Sequence, residues 1–276
     1  MLLLARHMNL LLLILTGFFW LPNPGTTPGQ YYDLCDSQNF SWQGGEEVTY
    51  TLYYQLGFAW IPAGEATFKV KDLGDRYYIS IDGTTLSAFE WFYEVNDHYE
   101  SIIDKKTLLP LSFSRDIQEG KYVWWDKFMF DQKNKKVKAS KGWPDKPTKY
   151  YEAELSGCMH DMISIIYNIR NVDFDRYNVG DKFNIKVFVE EEYPLQIEVK
   201  EKNKETKIYN QGKHKTHLIR PEVISGHFFD QDTRMDVYIS ADSNHIPLMI
   251  ESPVSVGKIK AVLSKSKGLR YPMVCK

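Results

Sequence analysis

Alternation with a period of two runs through most of the chain. Val48, Tyr50, Leu52 and Tyr54 fall on one side of an extended segment, with Glu47, Thr49, Thr51 and Gln55 on the other. Ala66, Phe68 and Val70 alternate with Glu65, Thr67, Lys69 and Lys71, and Tyr77, Ile79 and Ile81 follow after Gly74-Asp75. Successive side chains of a strand point to opposite faces, so this pattern predicts strands with one buried face. The same pattern recurs over 122–130, 183–189, 195–199, 234–240 and, with a break, 248–263. Turn-forming residues such as Glu119-Gly120 and Asn178-Val179-Gly180-Asp181 separate the runs. Many short strands so joined predict a mainly β fold, an antiparallel meander forming a large curved sheet or barrel. Closure or covering would deal with the exposed edges.

One segment changes period. From Cys158 to Asn171, the residues Met159, Ile163, Ile166, Tyr167 and Arg170 recur at helical spacing. They predict one amphipathic α-helix of about three turns packed on the sheet, capped by Ser156 or His160 and ended by Asn171. A shorter helical turn is expected over Ser87–Phe92. The stretch Lys141–Lys149, with Pro144 and Pro147, reads as a loop. No linker divides the chain, so residues 30–276 are expected to form a single barrel-like domain.

The N-terminus bears on compartment. Arg6 and His7 precede the apolar run Leu10–Leu15, which Phe18, Phe19, Trp20 and Leu21 extend until Pro22, Pro24 and Pro28. A basic start, a short apolar run and a helix-breaking flank describe a secretory signal, expected over residues 1–29. The run is short of the ~20 residues of a bilayer span. Tyr32, Asp33 and Leu34 precede Cys35, where a lipoprotein would need a small residue close behind the apolar run, so no lipid anchor is expected. An exported, periplasmic or envelope-associated protein, soluble after cleavage, is the expectation. The cysteines are Cys35, Cys158 and Cys275. An oxidising compartment permits one disulfide among three pairings. Sequence does not choose among them; Cys35 with Cys158 is preferred because it would tie the N-terminal lead to the helix start.

A formal net charge of −2 gives no basic surplus for a nucleic-acid backbone, and no nucleic-acid partner is expected. The lysines of Lys133–Lys138 and Lys200–Lys207 read as solvated hairpin tips. Candidate chemistry is sparse. His214 and His217, three apart in an extended segment, point to opposite faces and read as surface histidines rather than metal ligands. No metal or cofactor is expected. Asp97, Glu100, Asp104, Asp116 and Glu119 could supply paired carboxylates, yet Asp97 and Asp104 read equally as turn residues around a strand over Tyr99–Ile103. Arg115, Glu119, Asp161, Arg170 and Arg220 are expected to form a buried ion-pair network that fixes register and helix docking. No nucleophile elbow, phosphate loop or zinc-protease motif occurs, so no catalytic residue is assigned. Phe58, Trp60, Phe89, Trp91, Phe92, Trp124 and Trp125 are candidates to line an apolar cavity or rim a binding mouth, with plain core filling as the simpler reading.

A set of ordered landmarks resembles a bacterial exported family known as domain of unknown function 3108. They include Phe40 with Gly45-Glu46 and Tyr50, Pro62-Ala63-Gly64-Glu65-Ala66, and Val95 through Ser101. Thr107-Leu108-Leu109-Pro110, Arg115-Asp116 with Glu119-Gly120, and His160-Asp161 with Ser164, Tyr167 and Arg170 follow. Arg220-Pro221, Asn244 with Ile246-Pro247, and Val256 through Ala261 complete them. The likeness spans about residues 35–270. It implies export and a barrel-like fold, and it implies no activity. A more remote likeness of architecture, to open barrels that carry lipoproteins and to YmcC-like envelope proteins, is analogy only. The expected function is non-enzymatic binding or carriage of an apolar or amphipathic envelope molecule, such as a lipid, or of a glycan. A structural module for envelope assembly with a protein partner is the alternative, and a glycan hydrolase working through Asp97 and Glu119 is the third.

Overall fold

The computed structural model describes residues 37–91, 93–222, 234–253 and 257–274. Among these residues fourteen strands form one antiparallel sheet. The first eight are β1 (Glu47–Leu56), β2 (Ala59–Asp72), β3 (Arg76–Thr85), β4 (Asn96–Asp104), β5 (Pro110–Glu119), β6 (Tyr122–Asp131), β7 (Lys136–Trp143) and β8 (Lys146–Glu154). The rest are β9 (Lys182–Val189), β10 (Glu191–Ile208), β11 (Gly212–Pro221), β12 (Asp236–Ser240), β13 (Pro247–Pro253) and β14 (Lys258–Lys267). A short helix α1 (Ser87–Glu90) joins β3 to β4, and α2 (Met162–Ile169) with a 3-10 turn at Phe174–Arg176 joins β8 to β9.

The strand order, β8 to β1 and then β14 to β9, explains how the chain builds the sheet. It starts in the middle with β1, meanders outward to the β8 edge, crosses through α2 to the β9 edge and meanders back until β14 pairs with β1. Each step is a hairpin of neighbouring strands, which the alternating pattern specifies locally. The crossover is the long-range decision.

Inward positions of the alternating runs meet in one core. Ile79, Ile81, Tyr99, Phe113, Phe128, Ile163, Val172, Phe183, Val199 and Ile208 have essentially no exposed surface. The two meanders meet there: Phe188 of β9 packs edge-on against Phe128 and Phe130 of β6, with centroids 5.3 and 6.0 Å apart. Helix α2 packs against both halves of the sheet, at β4 and β9, with Met162, Ile163, Ser164, Ile165, Tyr167 and Asn168 buried. Enclosing it removes a long apolar face from water, and ~25 cal/mol per Å² of such area is the main stabilising term.

Several local expectations are corrected. The helix is shorter than 158–171, because the Asp161 side chain accepts from the N–H groups of Ile163 and Ser164 and starts it there, in place of Ser156 or His160. Ser164 closes a reciprocal capping box, and Arg170, one residue before Asn171, ends the helix. The stretch 141–149 is a tight hairpin between β7 and β8, since only Pro144 and Asp145 lie outside strands. The lysines of 200–207 lie within the long strand β10, whose hairpin tip is Tyr209 to Gln211. Asp97 sits inside β4 and is buried, while Asp104 does serve a turn, accepting from the N–H groups of Lys106 and Thr107.

Candidate functional site

Strands β4, β5 and β6 carry an unusual cluster on their inward face. The register places Tyr99 opposite Arg115, and Arg115 opposite Asp126, with Asp97 and Glu119 further along the same face toward the β3–β4 and β5–β6 connections. The Arg115 guanidinium donates to Asp126 through Nε at 3.0 Å and Nη2 at 2.7 Å, and its plane lies 4.4 Å over the Trp124 ring. Burial opposes the Arg115 charge, but the field and hydrogen bonds of Asp126 hold it above the usual range, so it stays charged. Burial pushes the Asp126 carboxyl up, and Arg115 pulls it back.

Asp97 shares this interior with too many acids. Its Oδ1 accepts from the Gln118 N–H at 3.0 Å, and its carboxyl lies in the field of Glu119 and the Tyr99 hydroxyl. Burial raises Asp97 to about 7, against the pull of Gln118, Glu119, Arg115 and Tyr99. The Tyr93 hydroxyl donates to Glu119 Oε2 at 3.5 Å. Across the sheet opening, Glu190 accepts from Lys141 at 2.6 Å and lies 4.0 Å from Arg115. Glu190 holds a φ of 67°, a left-handed backbone that side-chain residues seldom adopt, in the one-residue turn between β9 and β10. The end therefore gathers Asp97, Glu119, Asp126 and Glu190 around Arg115 and Lys141. The Trp124 indole N–H is buried beside them with no hydrogen-bond partner among the described residues. Surplus acceptors and an idle donor at one end of a sheet are chemistry without a structural need.

The expected five-residue network is not one network. Arg115 pairs with Asp126, and Glu119 faces Asp97 and Tyr93. Asp161 caps α2 and accepts from Ser101 Oγ of β4 at 2.5 Å. Arg170 forms a fork on Glu46 at 2.5 and 2.9 Å and donates from Nε to the Asn244 carbonyl. Arg220 pairs with Asp236 at 2.7 Å on a partly exposed stretch of β11 and β12. The groups lie on different strands and at different heights of the sheet, so each found its own partner. Sequence reasoning missed Glu46, Asp126, Lys141 and Glu190. Asp126 carried one signal, an acid at an inward position of an otherwise aromatic strand.

The aromatic candidates separate as well. Trp124 points inward and is buried, whereas Trp125 points outward and lies over Gly142, where a Cβ would meet its ring at 2.8 Å. Phe58, on the β1–β2 turn, is 100% exposed, and Trp91, beside α1, is 82% exposed. Trp60 and Phe89 are half-buried, with Lys260 Nζ 4.1 Å over the Trp60 ring. Phe92 lies outside the described residues. The described rings do not share one face: Trp124 and Trp125, adjacent in one strand, point opposite ways. Phe58, Trp91 and the half-exposed Tyr122 instead stand at the same end of the sheet as Asp97 and Glu119.

The histidines differ from expectation. His214 and His217 are both buried, and His217 stacks on Phe174 with centroids 4.9 Å apart. Burial, with His245 nearby, lowers His217 to about 4. His160 is buried against Ser164 and Asn168 and lowered by burial to about 3. Among the described residues no three His, Cys, Asp or Glu side chains converge as a metal site would require. Cys158 is disulfide-bonded; its expected partner Cys35 lies outside the described residues, as does the predicted signal. No helix among them is long and apolar enough to cross a membrane.

Comparison with known proteins gives a family match and a likeness in fold. The family model described as "Protein of unknown function (DUF3108)" matches residues 49–264. A crystal structure of a β-barrel-like protein of domain of unknown function DUF1849 from Brucella abortus is similar in fold, with a TM-score of 0.54 at 10% sequence identity. That likeness covers 80% of this chain and 96% of the other. No curated protein matches.

Proposed function

From the premise that this chain belongs to the DUF3108 family, whose name carries no activity, we propose that it is an exported, non-enzymatic binding protein of the cell envelope. Its ligand is a glycan, held at the end of the sheet that carries both exposed aromatic rings and buried carboxylates. The observation that carries this reading is the coincidence of Phe58, Trp91 and Tyr122 with Asp97, Glu119 and the idle Trp124 N–H at one end. Aromatic faces stack on the apolar faces of sugar rings, and surplus carboxylate acceptors take their hydroxyl donors. The Cys158 disulfide supports export, since such bonds persist in oxidising compartments.

Two other readings have less support. An apolar cargo needs a dry, empty interior, and the inward residues from Ile79 to Ile208 leave no exposed surface there. A glycosidase holds its carboxyls ~5 Å or more apart to admit the sugar. Asp97 and Glu119 are each 1% exposed, which leaves no room between them for a scissile bond and its attacking water.

The test is calorimetric titration of the full chain with chito-oligosaccharides and with soluble peptidoglycan fragments. Binding that Trp91→Ala weakens about tenfold or more, with unchanged unfolding, supports the proposal. Absence of binding to either glycan series, with a phospholipid recovered from protein made in its own host, would sink it.

A further inference from the structure

The two edges of the sheet are treated differently. Strand β9 is bridged at its end by His160, just before α2, in parallel pairing with Val187, with His160 N–H donating to the Lys186 carbonyl and Phe188 N–H to the His160 carbonyl. Strand β8 pairs only with β7 among the described residues and leaves its outer row of backbone groups open. An open edge strand is a template for another strand. We propose that β8 is a homodimer interface, in which two copies join edge to edge, antiparallel, into one continuous sheet.

The charge order of the strand carries the proposal. Its sequence is Lys146-Pro147-Thr148-Lys149-Tyr150-Tyr151-Glu152-Ala153-Glu154, basic at the start and acidic at the end. Antiparallel pairing about Tyr150 sets Lys146 opposite the partner's Glu154, and Thr148 opposite the partner's Glu152. Tyr150 then meets its own copy on the axis. Directly opposed strand residues share a face, so each Lys146 sits beside an acid, while parallel pairing would bring like charges together. Lysine and proline on an edge ordinarily repel stray strands. Here the same strand supplies the acids that cancel the lysines, which makes its own copy the favoured partner. Tyr150 is 79% exposed and positioned for burial, while the inward-facing Tyr151 and Ala153 already pack on the core. Among the described residues of one copy, Glu152 pairs with an exposed lysine, Lys138, at 3.6 Å, so its charge remains available.

Sedimentation equilibrium of the full chain tests this, and its outcome does not depend on the ligand. The expected result is a dimer that Lys146→Glu or Glu154→Lys weakens about tenfold or more, and that the two changes together restore. The Tyr150→Cys variant should then form a disulfide-linked dimer in oxidising buffer far faster than the Tyr122→Cys variant. A chain that stays monomeric at roughly 100 μM overturns the proposal. So does a dimer indifferent to the single reversals, or one in which the Tyr150→Cys variant cross-links no faster than the Tyr122→Cys control.

Discussion

Arg115 and Arg170 are both fully buried, both paired with a carboxylate and both beside an aromatic ring, Trp124 and Tyr167 respectively. Their surroundings differ. Arg170 answers one acid, Glu46, and joins three separate pieces: the lead into β1, the end of α2 and the turn at Asn244. The His245 ring nitrogen on the Arg170 carbonyl closes the same junction at 2.9 Å. Arg115 stands among Asp126, Glu190, Asp97 and Glu119, more acids than it and Lys141 can neutralise. A balanced buried pair is a fastening. An unbalanced one, with an acid held protonated near neutral pH, has a reason beyond fastening.

The comparison can be broken by substitution. Glu46→Leu leaves Arg170 buried without a counter-charge and should cost about 3–5 kcal/mol in urea unfolding, the largest single effect expected. Asp126→Asn should cost less, about 1–2 kcal/mol, because Glu190 and the neighbouring acids still face Arg115. Equal losses at the two sites would erase the distinction drawn between them.

The pH dependence sharpens it. Asp97 binds a proton up to about 7 in the folded chain and only to about 3.8 unfolded. The folded state thus holds the extra proton between those values, and the contribution of Asp97 to stability is lost as pH rises through that window. Asp97→Asn should flatten the fall in stability from about pH 4 to about pH 8 and raise the unfolding midpoint at the upper end. His217 acts with the opposite sign over nearly the same interval. His217 titrates at about 4 folded and 6.5 unfolded, so its own contribution is lost as pH drops through that interval, and His217→Phe should remove that loss. The smallest effect is expected at the rim: Phe58→Ser should leave stability within about 0.5 kcal/mol, because the ring is wholly exposed. A larger loss would mean that Phe58 packs on something.

Strand existence and the helix were legible because period two and period 3.6 are local properties of the chain. Val48, Tyr50 and Leu52 had to share a face whatever lay opposite. Which arginine met which acid was not legible. Arg115 and Asp126 are eleven apart and meet through hairpin register, but Arg170 and Glu46 are 124 apart and meet only because β14 closes on β1 while α2 crosses the sheet. The burial of His214 and His217 was hidden for the same reason, since the crossover that brings Phe174 over β11 leaves no mark on β11 itself.

By itself the amino-acid order determined the alternation, the turns, the presence of a helix and the absence of a basic surplus, because each depends on neighbours along the chain. The tertiary structure alone decided that acids from β4, β5, β6 and the β9–β10 turn crowd one buried end. Charge cost depends on distance and on exclusion of water, and both arise only when the sheet curls and its far strands meet.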